Sequence, residues 1–223
     1  MVFSVKSEIV TYPLKQLFEN PSTRRVKPVS LFGSPSTRSL FGIMKYQYHI
    51  IGSCNGLLCL FDSSQRCVKL CNPFMRLKSS KSPKAFRLDW MIKYYGFGYD
   101  QVNENYKVLV VVQNKDDLRE TFTKIYNFGK GSWKTIQNFP YTSTSKLGKF
   151  VGGTLNWIVE KRGVSSNENV ILSFDLEKET YREVSLPRND GNNAHTRRKL
   201  CVLSNCLCVC DTFASEEIDW VVC

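Results

Sequence analysis

The stretch ILSFDLEKETYREVSLP (residues 171–187) decides how the rest of the chain is read. An apolar run reaches Phe174 and stops at Asp175; a polar tip follows; apolar character resumes at Tyr181, seven positions beyond Phe174, and Val184, and Pro187 closes the unit. Two apolar runs separated by a short polar tip describe a β-hairpin. The same order recurs in LCLFDSSQRCVKLCNP (58–73), where Phe61-Asp62 leads to Val68 and Pro73. It recurs again in KIYNFGKGSWKTIQNFP (124–140), where Tyr126-Asn127 leads to Trp133, Ile136 and Pro140. The tips SSQR, GKGS and EKET are expected to form the turns, with an inward-facing aromatic anchoring each strand pair.

A second element, NGLLCLFD (55–62), returns as GGTLNWIV (152–159) and in weaker form as NCLCVCD (205–211). Glycine at a strand entrance admits positive φ and close approach of a neighbouring strand. From about residue 47 onward the chain is a succession of short β-type runs with no helix-period segment between them, which disfavours a parallel α/β sheet. Repetition of both elements favours an all-β fold, an incomplete kelch-like β-propeller built from repeated antiparallel hairpins, over an irregular sandwich. Upstream, YPLKQLFEN (12–20) is the best helix candidate. Residues 21–42 hold three prolines, two glycines and many hydroxyl residues, so 1–46 reads as a linker or extended N-terminal arm and 47–223 as the folded domain.

With 223 residues, 42% hydrophobic and 23% charged, the chain can build a globular core. Its longest apolar runs, LLCLF (57–61) and VLVVV (108–112), have strand length, far below the ~18 residues of a membrane helix. Lys6, Glu8 and Lys15 interrupt any signal-like segment near the start, so the reading is intracellular, in cytoplasm or nucleus. Nine cysteines include no Cys-x-x-Cys, and the two histidines, His49 and His195, have no partner at ligand spacing, so no metal site is expected. Cys206, Cys208 and Cys210 alternate along one strand face, as small buried hydrophobes would. The odd count favours reduced thiols. No nucleophile elbow, phosphate loop or His-Glu-x-x-His occurs. The Gly-x-Gly of GFGYD (96–100) precedes turn and strand rather than a helix. Neither an enzyme nor a cofactor is expected.

The net charge of +11 is local. Residues 1–90 carry 14 Lys+Arg against 4 Asp+Glu (+10), and residues 91–223 carry 17 against 16 (+1). The centre of the excess is Arg66, Lys69, Arg76, Lys78, Lys81, Lys84 and Arg87, with no acidic residue between them. Much of it lies in the loop-like MRLKSSKSPKAFR (75–87), beside two further candidate loops, QNKDDLRETF (113–122) and PRNDGNNAHTRRK (187–199). Arg76, Lys78, Lys81, Lys84 and Arg87 are the candidate contacts for an acidic target protein. The alternative is a nucleic-acid or anionic-surface binder using residues 66–87. It is less favoured because only Phe74 and Phe86 flank the cations, where single strands need stacking platforms.

Taken together, IIGSCNGLLCLFD, KLCNP, YGFGYDQVNENYKVLVVV, GSWKTI, FVGGTLNWIV, ILSFDLEKETYREVSLP and LCVCD resemble the F-box-associated interaction domain of plant F-box proteins, relatives of kelch-type propellers, over about residues 47–222. The resemblance implies a non-catalytic substrate-recognition module of an SCF-type ubiquitin ligase. In that family an F-box docks on a Skp-type adaptor; no such segment is recognised here, and residues 1–46 resemble the linker that follows it. EEIDWVVC (216–223) stops inside a strand pattern, so truncation is expected, with about four blades at ~40–45 residues each. The chain departs from the family pattern at Cys71, where tryptophan is usual, and at Asn205-Cys206, where glycine is commoner; looser packing is expected at both.

Overall fold

A computed structural model of the chain describes residues 2–5, 8–11, 29–30, 48–162, 167–186, 197–212 and 218–222. All named strands pair antiparallel, and no helix occurs among the described residues. Two compact units are present, Met1–Lys84 and Ala85–Cys223, so the sequence boundary at 46/47 falls within the first.

In the first unit, β1 (Val2–Val5), β2 (Glu8–Thr11) and β3 (Val29–Ser30) form a sheet in that order. These strands lie in the segment read as a linker; at two to four residues each they are too short to show a period. The helix candidate 12–20 lies outside the described residues. The other sheet is a meander of β4 (Tyr48–Cys54), β5 (Leu57–Asp62), β6 (Cys67–Asn72) and β7 (Leu77–Lys78). Tyr48, Leu58, Leu60 and Cys71 pack together there, so the smaller Cys71 is a buried core member.

The second unit holds three sheets. The first contains β8 (Trp90–Asp100), β9 (Asn105–Asn114), β10 (Thr121–Asn127) and β11 (Ser132–Ile136). The next contains β12 (Thr142–Ser143), β13 (Lys149–Val151), β14 (Thr154–Arg162), β15 (Asn167–Asp175) and β16 (Thr180–Ser185), with β12 and β13 both pairing with β14. The last contains β17 (Arg197–Leu203), β18 (Cys206–Thr212) and β19 (Ile218–Val222).

The repeated hairpin is real, and its register is the same each time. Phe61 faces Val68, Tyr126 faces Trp133 and Phe174 faces Tyr181. The turns are SSQR (63–66), FGKG (128–131) and LEKE (176–179); the last two sit one residue earlier than the sequence reading placed them. Two further copies exist: Asp100 to Asn105, and Asn72 to Leu77. In all five the strand ends on Asp or Asn, whose Oδ1 accepts N–H groups of the turn: Ser64 and Gln65 on Asp62, Phe74 and Met75 on Asn72, Val102 and Asn103 on Asp100, Lys130 on Asn127, Glu177 and Lys178 on Asp175. The last turn residue has positive φ in every copy: Arg66, Arg76, Glu104, Gly131 and Glu179. Asx side chains satisfy turn N–H groups and so hold a four-residue loop closed even where a non-glycine residue must be left-handed.

The second recurring element is a two-residue turn with both residues at positive φ: Asn55-Gly56, Gly152-Gly153 and Ser204-Asn205. This is the geometry whose twist suits a hairpin, and Asn205 takes the place of glycine because asparagine tolerates it.

Within the second unit the sheets stack face to face. Tyr94, Leu109, Val111 and Ile125 of the first sheet pack with Phe139, Leu155, Trp157, Leu172 and Phe174, while Ile158 and Ile171, on the opposite face, meet Leu200 and Val209 of the third. The glycines of GFGYD make the first contact possible. A Cβ on Gly96 would lie 2.9 Å from Leu155, and one on Gly98 would lie 2.2 Å from the Phe150 ring and 2.8 Å from Leu176. A backbone tie crosses the same boundary: Tyr95 N–H donates to the Lys146 carbonyl and Gly148 N–H donates to that of Tyr95, each at 2.8 Å.

Lys107 clamps two turns of these sheets together. Its ammonium, 5% exposed, lies 2.9 Å from Asp100 Oδ2 and 3.2 Å from Glu179 Oε1, and donates to the Leu176 carbonyl at 2.6 Å. Burial alone would raise the Asp100 carboxyl, but the Asn103 N–H and carboxamide and Lys107 outweigh it and hold the pKa below the ordinary value. Glu179 is likewise lowered, burial being overcome by Lys134 and Lys107.

The cysteines depart in part from expectation. Burial pushes the Cys54 thiol up to about 11 and Cys59 well above its ordinary value, so both stay protonated. Cys208 and Cys210 are buried but Cys206 is exposed. Cys208 is disulfide-bonded, which departs from the expectation of reduced thiols, while Cys54, Cys59, Cys67, Cys71, Cys201, Cys206 and Cys210 are free, the Sγ atoms of Cys201 and Cys210 lying 2.7 Å apart.

Gly98→Ala is expected to destabilise the second unit by about 1–3 kcal/mol through overpacking, read as a lower urea midpoint. Lys107→Met, which strands a buried carboxylate, is expected to cost about 3–5 kcal/mol near neutral pH. Because the Asp100 and Glu179 values are lowered in the folded state, their contribution is present above the unfolded carboxylate range and disappears as pH falls through the folded values. Stability of the parent chain should therefore fall on acidification below about pH 4–5, and that of Lys107→Met should fall less steeply.

A candidate target-binding edge

Strand β7 is only two residues long, yet the chain beyond it stays on the edge of β6. Ser79 N–H donates to the Leu70 carbonyl (3.0 Å) while Leu70 N–H donates to Ser79 Oγ (2.9 Å). Three residues later, Ser82 N–H donates to the Val68 carbonyl and Val68 N–H donates to Ser82 Oγ, both at 2.9 Å. Each hydroxyl then donates to the carbonyl of the next residue, Ser80 or Pro83. Three residues of the segment thus match two of β6, and a serine side chain supplies the acceptor that a true partner strand would. The sequence SSKSP, loop-like in composition, is a surrogate edge strand.

This pinning leaves the cations outward. Arg76 is exposed at the left-handed position of its turn, and Lys78, Lys81 and Lys84 are exposed along the surrogate strand. Lys81 Nζ donates to Gln65 Oε1 (2.5 Å) and lies 3.8 Å from Asp62 Oδ2. Arg87 belongs to the second unit, its Nε 3.5 Å from Asp89 Oδ1. Of the five candidate residues, Lys78 and Lys81 are brought together electrostatically. Both act on Lys69, whose pKa is lowered by burial first and then by these two charges, against the pull of Asp62.

The sequence shows Phe74 only as a ring flanking the cations, and does not by itself single out Met75 and Leu77. Phe74 is 95% exposed and Met75 61%, at the tip of the Asn72-capped turn, with Leu77 exposed beside them. The signal was present as Pro-Phe-Met-Arg after a strand-ending Asn. Phe86, the other aromatic flanking the cations, is buried, which leaves Phe74 alone as an exposed ring there. One ring is not a stacking platform for a single strand.

The other two candidate loops differ. In the 113–122 loop two of the charges are engaged: Glu120 Oε2 accepts from Asn114 Nδ2 (2.7 Å) and Lys115 Nζ donates to the Leu88 carbonyl (2.7 Å). Of the 187–199 loop, residues 187–196 lie outside the described residues. A cleft of about 560 Å³ within the second unit is lined by residues of β17, Arg198, Lys199 and Leu200, together with Lys149, Asn156 and Ile158.

Antiparallel sheets built on one repeated hairpin, stacked by faces within the second unit, define a β-propeller-type module. The chain belongs to the F-box associated beta propeller domain family, whose model matches residues 2–222. It is 30% identical over 182 residues to the F-box/kelch-repeat protein At3g23880 of Arabidopsis thaliana, covering 78% of this chain and 49% of that protein. It is 29% identical over 199 residues to the F-box protein CPR1 of the same plant, covering 78% of this chain and 48% of that one. The chain therefore spans about half the length of these relatives.

Ser82→Ala leaves the buried Val68 N–H without its acceptor and is expected to cost about 1–3 kcal/mol, with loss of Val68 amide protection in hydrogen exchange. Ser79→Ala, at an exposed site where water can replace the hydroxyl, should cost less.

Proposed function

We propose that this chain is the target-recognition part of an SCF-type ubiquitin-ligase F-box subunit, itself non-catalytic and without a cofactor, working in cytoplasm or nucleus. Engagement of a Skp-type adaptor then depends on an F-box in a longer product. Family membership and the names of the relatives support this reading. The observation that carries it is the pinned edge of β6: Arg76, Lys78, Lys81 and Lys84 stand on an ordered segment, around the exposed Phe74 and Met75. Exposed aromatic and Arg side chains on a rigid support are what an interface core uses, and a rim of cations selects an acidic partner and speeds its approach. Arg87, on the second unit, is the remaining candidate contact.

The test joins an F-box in frame ahead of the chain and compares the fusion with the chain alone in cells of a plant host. The fusion is expected to co-purify with the Skp-type adaptor and to deplete a set of proteins that the chain alone binds but leaves intact. Lys78→Glu/Lys81→Glu/Lys84→Glu should reduce capture of that set at least tenfold. Stoichiometric adaptor binding by the chain alone, or capture unaffected by the triple reversal, would overturn the reading.

A further inference from the structure

The stretch FMRLKS (74–79) ends on Ser79, with Lys78 one residue before it, Arg76 three before it and Phe74 five before it. An arginine precedes a serine at this spacing in two other places, Arg162–Ser165 and Arg182–Ser185, but there the residue five before the serine is Glu160 or Thr180, and Glu183 adds an acid in the second. Phe74, Arg76, Lys78 and Ser79 are all exposed. The segment is ordered, yet few bonds hold it. β7 supplies two residue pairs with β6, Lys78 with Cys71 and Leu77 with Asn72, and Ser79 adds its N–H bond to the Leu70 carbonyl and accepts the exposed bond from Leu70 N–H. Met75 and Leu77 are exposed as well, so lifting 74–79 strips little apolar surface and exchanges solvent-reachable bonds for bonds to water, the conditions for local opening. It also releases Arg76 from its left-handed backbone, φ 56°. Ser82 is different: it is 7% exposed, its Oγ accepts from the buried Val68 N–H, and Ala85 and Phe86 beyond it are buried, so the chain is anchored there.

From this arrangement we propose that Ser79 is a phosphorylation site for a basophilic serine kinase, with 74–79 lifting from β6 into the kinase groove while Ser82 keeps its hold. Kinases select acceptor segments by charge pattern, and an acidic groove takes upstream cations and rejects acids. In the transfer, the γ-phosphorus of ATP bonds to Ser79 Oγ as its bond to the bridging oxygen breaks; ADP leaves, and the hydroxyl proton passes to the carboxylate base of the kinase. Ser82, although followed by Pro83 as proline-directed kinases require, is kept from such a reaction by its burial. The ester carries about −1.5 to −2 charges at neutral pH, in a segment whose other charges are Arg76, Lys78, Lys81 and Lys84. It therefore offsets much of the positive charge of this edge. The consequence, weaker capture of an acidic target, rests on the function proposed above; the modification itself does not.

The probe is the catalytic domain of a calmodulin-dependent protein kinase with ATP and Mg²⁺, acting on the whole chain, with the product mapped by mass spectrometry. A proline-directed kinase serves as comparison. The first kinase is expected to place about one phosphate per chain, on Ser79, and the second to leave Ser82 unmodified. Ser79→Ala should lower incorporation at least tenfold, whereas Ser80→Ala should leave it within twofold. Arg76→Ala should lower kcat/KM at least tenfold, and Arg76→Lys should recover part of that loss. In the phosphorylated chain the Val68 amide should stay protected from hydrogen exchange, because the Ser82 anchor is not disturbed. Urea midpoints of the variants check the fold. No incorporation, incorporation that survives Ser79→Ala, an ester mapped to Ser80 or Ser82, or loss of Val68 protection in the product overturns the proposal. Neither adaptor nor target is in the assay, so failure here leaves the proposed function standing, and failure of the F-box fusion test leaves this result untouched.

Discussion

The structure depends on a carboxylate or carboxamide at the end of a strand. Five times an Asp or Asn turns its Oδ1 onto the N–H groups of the loop that follows. In each loop the last residue goes left-handed, and only once is it glycine. A left-handed non-glycine residue costs on the order of 1–2 kcal/mol, and a loop N–H without an acceptor costs a similar amount when buried. The Asx oxygen offsets these costs and in doing so fixes the loop at four residues. Loop length fixes register, and because strand side chains alternate, register decides which face of each sheet is apolar. Stacking of the sheets in the second unit follows from that. The buried Asp100 and the half-buried Glu179 add a further use: the residues that shape two turns are also the anions that Lys107 draws together.

What could be read in the sequence tracks this logic. The copies at Phe61, Tyr126 and Phe174 were legible because an aromatic stands before the Asx residue and a large apolar residue faces it seven positions on. Tyr99-Asp100, with Tyr106 seven residues later, obeys the same rule, but it was hidden because a long strand, not a proline, follows it. The copy at Asn72 was invisible to an aromatic search, since Cys71 stands where the ring would be and Lys78 where its partner would be. The glycines of GFGYD were visible but not interpretable. Their reason is a ring of Phe150 and a side chain of Leu155, more than fifty residues distant, and no local pattern encodes that. β1 to β3 were missed because strands of two to four residues carry no measurable alternation.

The candidate site shows the opposite balance. Its charges were plain in the sequence, but the ordered segment that carries them was not. Serine in a Lys-rich run is ordinarily read as loop, whereas Ser79 and Ser82 each make a reciprocal pair of bonds with β6. Composition reports side-chain chemistry, and here the side chain is standing in for a backbone.

The same edge admits a purely protective account, and the physics of the two is distinct. Lysines and a proline on an exposed strand edge prevent pairing with another chain, and the surrogate strand provides both, with Pro83 lacking an N–H and Lys78 and Lys81 adding charge. Protection, however, calls for polar cover throughout. It gives no reason for Phe74 and Met75 to project into solvent, 95% and 61% exposed, from a turn whose backbone N–H groups are fixed by the Asn72 cap. Rigid apolar groups inside a cationic rim lower the entropy that a binding partner must overcome, which is useful only if a partner arrives. The recognition role proposed for this edge accounts for Phe74 and Met75 where protection alone does not, and protection against self-association follows from the same lysines.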